Sequence, residues 1–271
     1  MRKNTDFANK VVVITGAAGG LGEALCKCFG KLGAKIAAMD KDQEGLKNLQ
    51  AVLSDEGVIC KPYVCDVTDP DACFKTIESV ISELGEIFVL INNAGIAHRS
   101  AFWKTDISVF QKVIGVSLFG SMYCTRAAIE SIQKTGGAVI GISSIAGFGP
   151  LCGRTGYAAA KHGLAGFLNT LRTEVQDMGV SVMLVYATYI KTNIDKNALD
   201  ADGNPNQNEK IASGNVLMPD EAAEQIVNAL LNDERQLMLG ETAQMSWDVY
   251  HKDPLLFEKI MMESNRYVLE Q

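Results

Sequence analysis

A tyrosine and a lysine four residues apart are the pair in this chain best suited to chemistry. Tyr157 and Lys161 stand in the stretch GYAAAKHG, with only alanines between them. On a helix this spacing places both side chains on one face, so the phenol and the ammonium would lie side by side. A free tyrosine has a pKa near ~10, and a neighbouring cation favours its ionised form. The spacing therefore indicates proton transfer, with an ordinary helix pair as the alternative.

A glycine-rich turn, TGAAGGLG, follows the first apolar run. Gly16, Gly20 and Gly22 would let backbone amides approach a pyrophosphate, whose charge is favoured at the start of a helix. Asp40 ends the second apolar run, where a carboxylate can accept hydrogen bonds from an adenosine ribose and repel an added 2′-phosphate. Lys41 follows and would soften that repulsion. The pattern predicts NAD as the cofactor, with NADP possible.

Two later turns carry residues that a dinucleotide could contact. Asp66 and Val67 follow the third apolar run. They would hold an adenine ring, or Asp66 would serve as a turn or cap residue. Asn93 and Gly95 follow the fourth run, where Gly95 allows close backbone approach to a cofactor and Asn93 would brace neighbouring strands. A plain strand-exit turn is the alternative for this second pair.

These residues need elements that bring them together, and short β-branched runs alternate with longer helical patterns. Strands are predicted over 10–15, 35–39, 58–64, 87–92, 137–143, 180–186 and 235–239. Helices are predicted over 20–32, 42–54, 69–84, 106–134, 155–178 and 219–232. Continuous apolar strands separated by helices predict an α/β fold with a doubly wound parallel sheet. Ligands of such a sheet gather at the carboxyl ends of its strands.

Composition limits the class of protein. The chain has 271 residues, 47% of them hydrophobic, and a net charge of −7, which disfavours a nucleic-acid or polybasic membrane surface. No apolar run of about 20 residues predicts a membrane span. Seven cysteines without a secretion signal predict reduced thiols in a cytoplasmic protein, and three scattered histidines predict no metal site. No linker divides residues 1–271, so one domain is expected.

Two segments stand outside the alternating pattern. Residues 190–218 are rich in Asn, Gly and Asp and follow the sixth predicted strand, which predicts a surface loop or a lid over substrate. The carboxyl end, PLLFEKIMMESNRYVL, has apolar residues at helical spacing. It would pack on the core or on a second subunit, or would wall a substrate pocket.

Taken together, these motifs resemble the short-chain dehydrogenase/reductase family over nearly the whole chain. The matching pieces, in order, are TGAAGGLG, Asp40, DVTD, NNAG, ISSIAG and YAAAK. The resemblance implies a single Rossmann-type domain of three α/β/α layers with a seven-stranded parallel sheet. It also implies a nicotinamide cofactor and a homodimer or homotetramer, packed through the helices near 106–134 and 155–178.

The resemblance assigns roles residue by residue. Tyr157 matches the proton donor and acceptor, and Lys161 matches the lysine that binds the nicotinamide ribose and lowers the pKa of that tyrosine. Ser144 matches the serine that orients the substrate, with Ser143 as the less favoured choice. Thr192 matches the threonine that holds the nicotinamide carboxamide.

Two departures from the family pattern bear on these roles. Ser117 stands where the family usually has an asparagine, which is thought to hold a water in the proton relay. Ala187 and Thr188 replace the usual Pro-Gly after the sixth strand, so the loop beside the nicotinamide would lie differently. Leu21 and Ile190 complete the cofactor contacts that the resemblance implies.

The expected function is hydride transfer between NAD(H) and a secondary alcohol or ketone. The alternatives are a non-catalytic NAD-binding sensor or scaffold of the same fold, and an epimerase that retains its cofactor. His98 and His162 are expected to be structural or pocket-lining. A moderately apolar substrate pocket is expected from Phe148, Pro150, Leu151, Cys152, Tyr186 and Tyr189.

Overall fold

A seven-stranded parallel sheet forms the centre of the protein. The computed structural model describes residues 6–192, 194, 197–206 and 216–270. The strands are β1 (Val11–Thr15), β2 (Lys35–Asp40), β3 (Cys60–Val64), β4 (Ile87–Asn92), β5 (Ala138–Ser144), β6 (Ser181–Ala187) and β7 (Gln236–Leu239). Their order is β3-β2-β1-β4-β5-β6-β7. The order reverses between β1 and β4, and a parallel sheet binds its ligands at the carboxyl ends beside such a point.

Helices cover both faces of this sheet. They are α1 (Gly20–Lys31), α2 (Gln43–Asp55), α3 (Pro70–Leu84), α4 (Ile107–Ile114), α5 (Gly120–Thr135), α6 (Thr155–Glu174), α7 (Pro219–Leu231), α8 (Glu241–Lys252), α9 (Pro254–Asn265) and α10 (Tyr267–Glu270). Asp42, Asp69 and Asp106 cap α2, α3 and α4, each accepting a hydrogen bond from a first-turn amide. The doubly wound α/β prediction is therefore confirmed.

Three predicted boundaries needed correction. The helix predicted over 106–134 is α4 and α5 joined by a π-helical turn, Gly115–Phe119, which no apolar period signals. The helix predicted over 155–178 ends at Glu174 and is followed by a short 3₁₀ turn. The third strand begins at Cys60, two residues later than predicted.

Two apolar cores lie on opposite faces of the sheet. Along β1, Val12 and Ile14 pack with α1, α2 and α7, whereas Val11 and Val13 pack with α3, α5 and α6. Alternate residues of a strand point to opposite faces, so a strand buried on both sides must be apolar throughout. This is why the strands read as continuous apolar runs.

The stretch Ile107–Thr135 has the length and apolar composition of a membrane-spanning helix. Polar and charged residues interrupt its apolar runs, so the sequence pattern predicted no membrane span here. In the fold, its buried residues Val113, Cys124 and Ala128 contribute to the cores described above and to a small cluster around Tyr157. Packing against the rest of the domain thus uses the apolar face of this stretch.

The carboxyl-terminal helices pack on the core beside the loop that precedes α6. Phe257 of α9 and Trp247 of α8 contact Phe148, with ring centroids 6.3 and 5.1 Å apart. A Cβ atom added to Gly153 would collide with Val268 of α10. Of the alternatives predicted for this end of the chain, core packing is the one observed, and it fixes the loop 149–153.

Candidate active site

The glycine turn is shaped by close backbone contacts. Gly16 has φ = +66°, and a Cβ there would lie 2.9 Å from Ala94 Cα. A Cβ on Gly22 would overlap the carbonyl oxygen of Gly16 and lie 2.8 Å from Ala17 Cα. Gly19, the N-cap residue of α1, has no side chain to cap the helix, so its first-turn amides can meet an anion. The turn fits a pyrophosphate.

The segment after β6 meets the glycine turn. A Cβ on Gly20 would lie 3.1 Å from Thr192 Cγ2. The Thr192 amide donates to the carbonyl of Ile190, 2.8 Å away, in a tight turn. Leu21 is buried in the core under α1, so any contact of Leu21 with a cofactor is expected through its backbone. Thr192 and Ile190 thus lie at the edge where a dinucleotide is predicted.

Asp40 braces the turn through both carboxylate oxygens. Its Oδ2 accepts from the Ala18 amide and its Oδ1 from the Asp42 amide, each at 3.0 Å. An ionised carboxylate has about four lone-pair positions, so it can also accept ribose hydroxyls. The ribose contact itself stays a prediction.

Asp66 is found as a turn residue, which is one of the two roles predicted for it; the other is contact with an adenine ring. Its Oδ1 accepts from the amide and the hydroxyl of Thr68, at 2.9 and 2.7 Å. The hydrogen bond from the Thr68 amide holds the pKa of Asp66 below its ordinary value; burial opposes this, and the Thr68 hydroxyl and the charge of Lys41 add smaller lowering effects. Val67 is buried against Gly120 at the start of α5. Contact of either residue with an adenine stays a prediction.

Asn93 links β4 to β1, as the sequence predicts. Its Nδ2 donates to the carbonyls of Thr15, at 2.9 Å, and Gly16, at 3.1 Å. The Thr15 hydroxyl accepts from the amides of Asn93 and Ala94. These bonds fix the two strand ends where the sheet order reverses.

Tyr157 and Lys161 are neighbours on the buried face of α6. They are 8% and 4% exposed, and Lys161 Nζ lies 5.6 Å from the centre of the Tyr157 ring. Nζ donates to the carbonyl of Ile142 at 2.7 Å. Burial lowers the pKa of Lys161 to about 8, so most of these ammonium groups remain charged at pH 7.

Ser117, in the π-helical turn, and Gly95, just after β4, lie next to each other near Lys161. A Cβ on Gly95 would lie 3.4 Å from Lys161 Nζ and 3.5 Å from Ser117 Oγ. The Ser117 hydroxyl accepts from the amide of Ile96 and donates to its carbonyl, both at 3.2 Å. Ser117 therefore lies near the lysine, within the π-helical turn. Its role in a proton relay stays a prediction.

The two serines at the end of β5 point in different directions. Ser144 lines a cleft with Tyr157, and its Oγ accepts from the Ala146 amide at 3.3 Å. Ser143 is buried and donates to the carbonyl of Lys161 at 3.3 Å. The alternation of a strand explains the difference. This geometry supports Ser144 over Ser143 as the residue that faces a substrate.

His98 fixes the start of α6. Its Nε2 accepts from the Gly156 amide at 2.9 Å, and its Nδ1 lies 3.3 Å from the Ser100 hydroxyl. Burial, and then the charge of Arg154, lower the pKa of His98 to about 4, so the ring is neutral. His162 is exposed. His98 thus positions Tyr157 through the backbone of its helix.

The cleft at Ser144 and Tyr157 has a volume of about 90 Å³. Its remaining lining residues are Ala97, Ile145, Leu151, Arg154, Thr188, Tyr189, Ile190 and Ile194. Leu151 and Tyr189 were predicted to line it. Among the residues described, the other four predicted lining residues do not: Phe148 and Tyr186 pack against Trp247 instead, and Pro150 and Cys152 lie outside the lining.

Arg154 also lines the cleft, although no motif in the sequence predicted it. It stands three residues before Tyr157, a spacing that could have placed both at one cleft. A larger cleft of about 580 Å³, between α7 and the start of α8, shares Thr188 but contains none of the catalytic candidates. Ser144 and Tyr157 therefore meet at the smaller cleft.

The predicted lid falls partly outside the described residues, at 193, 195–196 and 207–215. Its described part is anchored beside the cleft. Leu199 pairs with His98 and with Pro205, and Ile190 pairs with Leu217. Whether the segment closes over a substrate stays a prediction.

A family model, curated relatives and solved structures all relate this chain to the same family. The family model described as short chain dehydrogenase matches residues 10–203. A dehydrogenase/reductase SDR family member 7B from Xenopus tropicalis is 32% identical, over 89% of this chain and 80% of the relative. A 3-oxoacyl-[acyl-carrier-protein] reductase FabG from Salmonella typhimurium is 29% identical, over 90% of this chain and 98% of the relative. The crystal structure of a short chain dehydrogenase/reductase from Burkholderia phymatum in complex with NAD superimposes with a TM-score of 0.83. The two are 20% identical, over 93% of this chain and 96% of that one.

Proposed function

Since the chain belongs to the short-chain dehydrogenase/reductase family, we propose that it is an oxidoreductase that transfers hydride between NAD(H) and a secondary alcohol or ketone. The observation that supports this most is the shared cleft of Ser144 and Tyr157, with the Lys161 ammonium 5.6 Å from the tyrosine ring. Together, a hydroxyl, a phenol and a buried cation can polarise a carbonyl group and transfer a proton to its oxygen.

The residues at the carboxyl edge would hold the cofactor. The glycine turn would receive the pyrophosphate, and Asp40 the adenosine ribose. Lys161 would bind the nicotinamide ribose, and Thr192 the carboxamide. When bound, the nicotinamide supplies or accepts the hydride.

The protein's own groups would handle the oxygen and its proton. Ser144 donates a hydrogen bond to the carbonyl oxygen and keeps it beside Tyr157. In reduction, the carbonyl carbon gains a hydride, and Tyr157 gives its hydroxyl proton to the oxygen. In oxidation, the proton returns to Tyr157. The Lys161 charge stabilises the phenolate that each turnover creates.

Asp40 supports NAD as the preferred cofactor. Its carboxylate is fixed against the glycine turn by the Ala18 amide, so it cannot easily swing away from an added 2′-phosphate. Lys41, next in the chain, is the residue that would admit NADP.

The proposal is tested with the purified full chain. NADH and NADPH are offered with a panel of ketones, and oxidation of the cofactor is followed by absorbance. We expect NADH-dependent turnover, and a loss of roughly 10²–10⁴-fold in kcat in Tyr157→Phe, because general acid–base help is worth that much. Binding of NADH, followed by its fluorescence, should persist in this variant.

The other outcomes identify the alternatives. Tight NADH binding without turnover of any ketone or alcohol would favour a sensor or scaffold. Inversion of a substrate stereocentre without net change in NADH would favour an epimerase. Full activity in Tyr157→Phe would show that Tyr157 does not transfer the proton.

We propose further that the chain forms a homodimer or homotetramer through α4, α5 and α6. Phe119 and Met122 expose apolar side chains there, and Phe119 stacks on Tyr123 at a centroid distance of 6.2 Å. Exposed aromatic residues on a long helix favour association. Light scattering should give a mass at least twice that of one chain, and Phe119→Lys should lower it; a monomeric wild type would refute the proposal.

A further inference from the structure

A buried hydrogen-bond chain connects the segment after β4 to the start of α6. Its side chains belong to His98, Ser100 and Thr105, which are 0, 7 and 8% exposed. The Gly156 amide lies 2.9 Å from His98 Nε2, and His98 Nδ1 lies 3.3 Å from Ser100 Oγ. Ser100 Oγ lies 2.7 Å from Thr105 Oγ1, which donates to the carbonyl of Ala101, also at 2.7 Å. The chain therefore ends at the residue before the proposed proton donor.

The direction of each bond in the chain is fixed by its two ends. An amide only donates, so His98 Nε2 accepts from Gly156, and the proton of the neutral ring lies on Nδ1. Nδ1 then donates to Ser100 Oγ. A carbonyl only accepts, so the single proton of the Thr105 hydroxyl goes to Ala101. Ser100 must therefore donate to Thr105, and one assignment of protons satisfies all four contacts.

The ring of His98 lies directly against the backbone of α6. A Cβ on Gly156 would lie 3.2 Å from His98 Nε2 and 2.6 Å from Phe110 Cδ1, so glycine is needed for this close approach. Phe110 of α4 meets the imidazole edge to face, with ring centroids 5.4 Å apart. The Ser100 amide donates to the carbonyl of Gly153 at 3.0 Å, which holds the same segment to the loop before α6. A rotation of the imidazole would therefore move the first turn of α6.

We propose that Ser100 and Thr105 are positioning residues: their hydroxyls hold one tautomer and one orientation of His98, and this ring places Tyr157. The inference rests on the proposed function. Neither hydroxyl belongs to the lining of the described cleft, so both act through the ring. A fully bonded buried chain is rigid, whereas loss of one member leaves its neighbour unsatisfied. A displacement of about 1 Å at a reacting group can cost roughly 10²-fold in rate.

The activity test removes one hydroxyl and then returns it. The full chain is assayed with saturating NADH and a ketone that wild type reduces. Thr105→Val keeps the shape of the side chain but leaves the Ser100 hydroxyl without its acceptor, so we expect kcat to fall roughly 10- to 100-fold, with a much smaller change in KM. Thr105→Ser keeps the hydroxyl and should retain most of kcat. A wild-type kcat in Thr105→Val, or an equal loss in both variants, would overturn the proposal.

Two further variants keep this test decisive. If Thr105→Val does not fold, Ser100→Ala removes the acceptor of His98 Nδ1 and should show the same fall in kcat. Thr135→Val is the matched control, because Thr135 ends α5 at the opposite, amino-terminal edge of the sheet and its hydroxyl donates to the carbonyl of Ile87 at 2.8 Å. The control should lower the urea midpoint of unfolding but leave kcat unchanged. A fall of kcat as large as in Thr105→Val would trace the effect to stability and overturn the proposal.

A measurement without substrate separates this inference from the proposed reaction. Long-range ¹H–¹⁵N spectra of the three histidines report which ring nitrogen carries the proton, and His98→Asn identifies the signals of His98. Wild type should carry the proton on Nδ1, and the Gly156 amide should exchange with solvent faster in Thr105→Val than in wild type. If wild type reduces no ketone but gives both results, ketone reduction fails and the control of α6 by this chain stands. A proton on Nε2 of His98 would overturn the inference whatever the enzyme reduces.

Discussion

The buried Lys161 should give the protein a pH-dependent stability that a variant without this amine lacks. Lys161 is 4% exposed, and burial lowers its pKa from 10.5 to about 8. In the unfolded chain the amine is hydrated and takes up its proton more readily. Between the two pKa values the unfolded state therefore binds more protons than the folded state, and stability rises with pH.

The size of the effect follows from the two pKa values. Each pKa unit corresponds to about 1.4 kcal/mol, so keeping Lys161 charged in the fold costs about 3 kcal/mol below pH 8. This cost shrinks as the folded-state amine loses its proton. Between pH 6.5 and 9.5, wild type should gain about 2 kcal/mol in unfolding free energy relative to Lys161→Met.

The assay is urea denaturation of the protein without cofactor at several pH values. Both proteins carry Tyr157→Phe, so that titration of the phenol does not contribute. Lys252→Met, which removes a solvent-exposed amine from α8, reports the effect of losing one positive charge as such. The comparison is between the unfolding free energies of the protein with Lys161 and of the Lys161→Met variant. If their difference stays constant from pH 6.5 to 9.5, the lowered pKa of Lys161 and the burial on which it depends are refuted.

Three further substitutions test the site. Gly22→Ala places a Cβ against the carbonyl oxygen of Gly16, so we expect the unfolding free energy to drop by roughly 1–3 kcal/mol. The affinity for NADH, measured by fluorescence titration, should also fall, and unchanged values would contradict the tight turn. Asp40→Asn keeps an acceptor for the Ala18 amide but loses the charge, so the NADH-over-NADPH ratio of kcat/KM should fall roughly tenfold, and a constant ratio would exclude Asp40 from the choice. His98 has its pKa lowered from 6.5 to about 4, so wild type should lose about 3 kcal/mol more than His98→Asn between pH 7 and pH 4; parallel stability curves would contradict a buried neutral ring.

Much of the cofactor edge could be read from local sequence. The glycine turn, Asp40 and Asn93 each follow an apolar strand directly, and the carboxyl ends of parallel strands meet at one edge. The bonds of Asn93 to the end of β1 agree with its predicted bracing role. These features depend on neighbours in the chain and on the sheet, both of which leave a periodic signal.

The residues that line the cleft could not be predicted from a periodic pattern in the sequence. Phe148 and Tyr186 were expected to face a substrate, yet both join an aromatic cluster with Trp247 of α8. The helix α8, over 241–252, was not among the helices predicted from the sequence. A side chain turns to the core or to a cleft according to what packs across from it, and that partner lies about 60 to 100 residues away in the chain.

By itself the sequence determined the alternation of strands and helices as far as β7 and the pairing of Tyr157 with Lys161, because both depend on residue spacing along one element. Only the tertiary structure decided that Ser144, and not Ser143, faces the cleft, that His98 is neutral, and that Arg154 stands beside the tyrosine. Each of these depends on burial and on contacts between separate elements. The loop before α6, for example, lies against Phe257 and Val268 at Gly149 and Gly153, and no local pattern encodes these contacts.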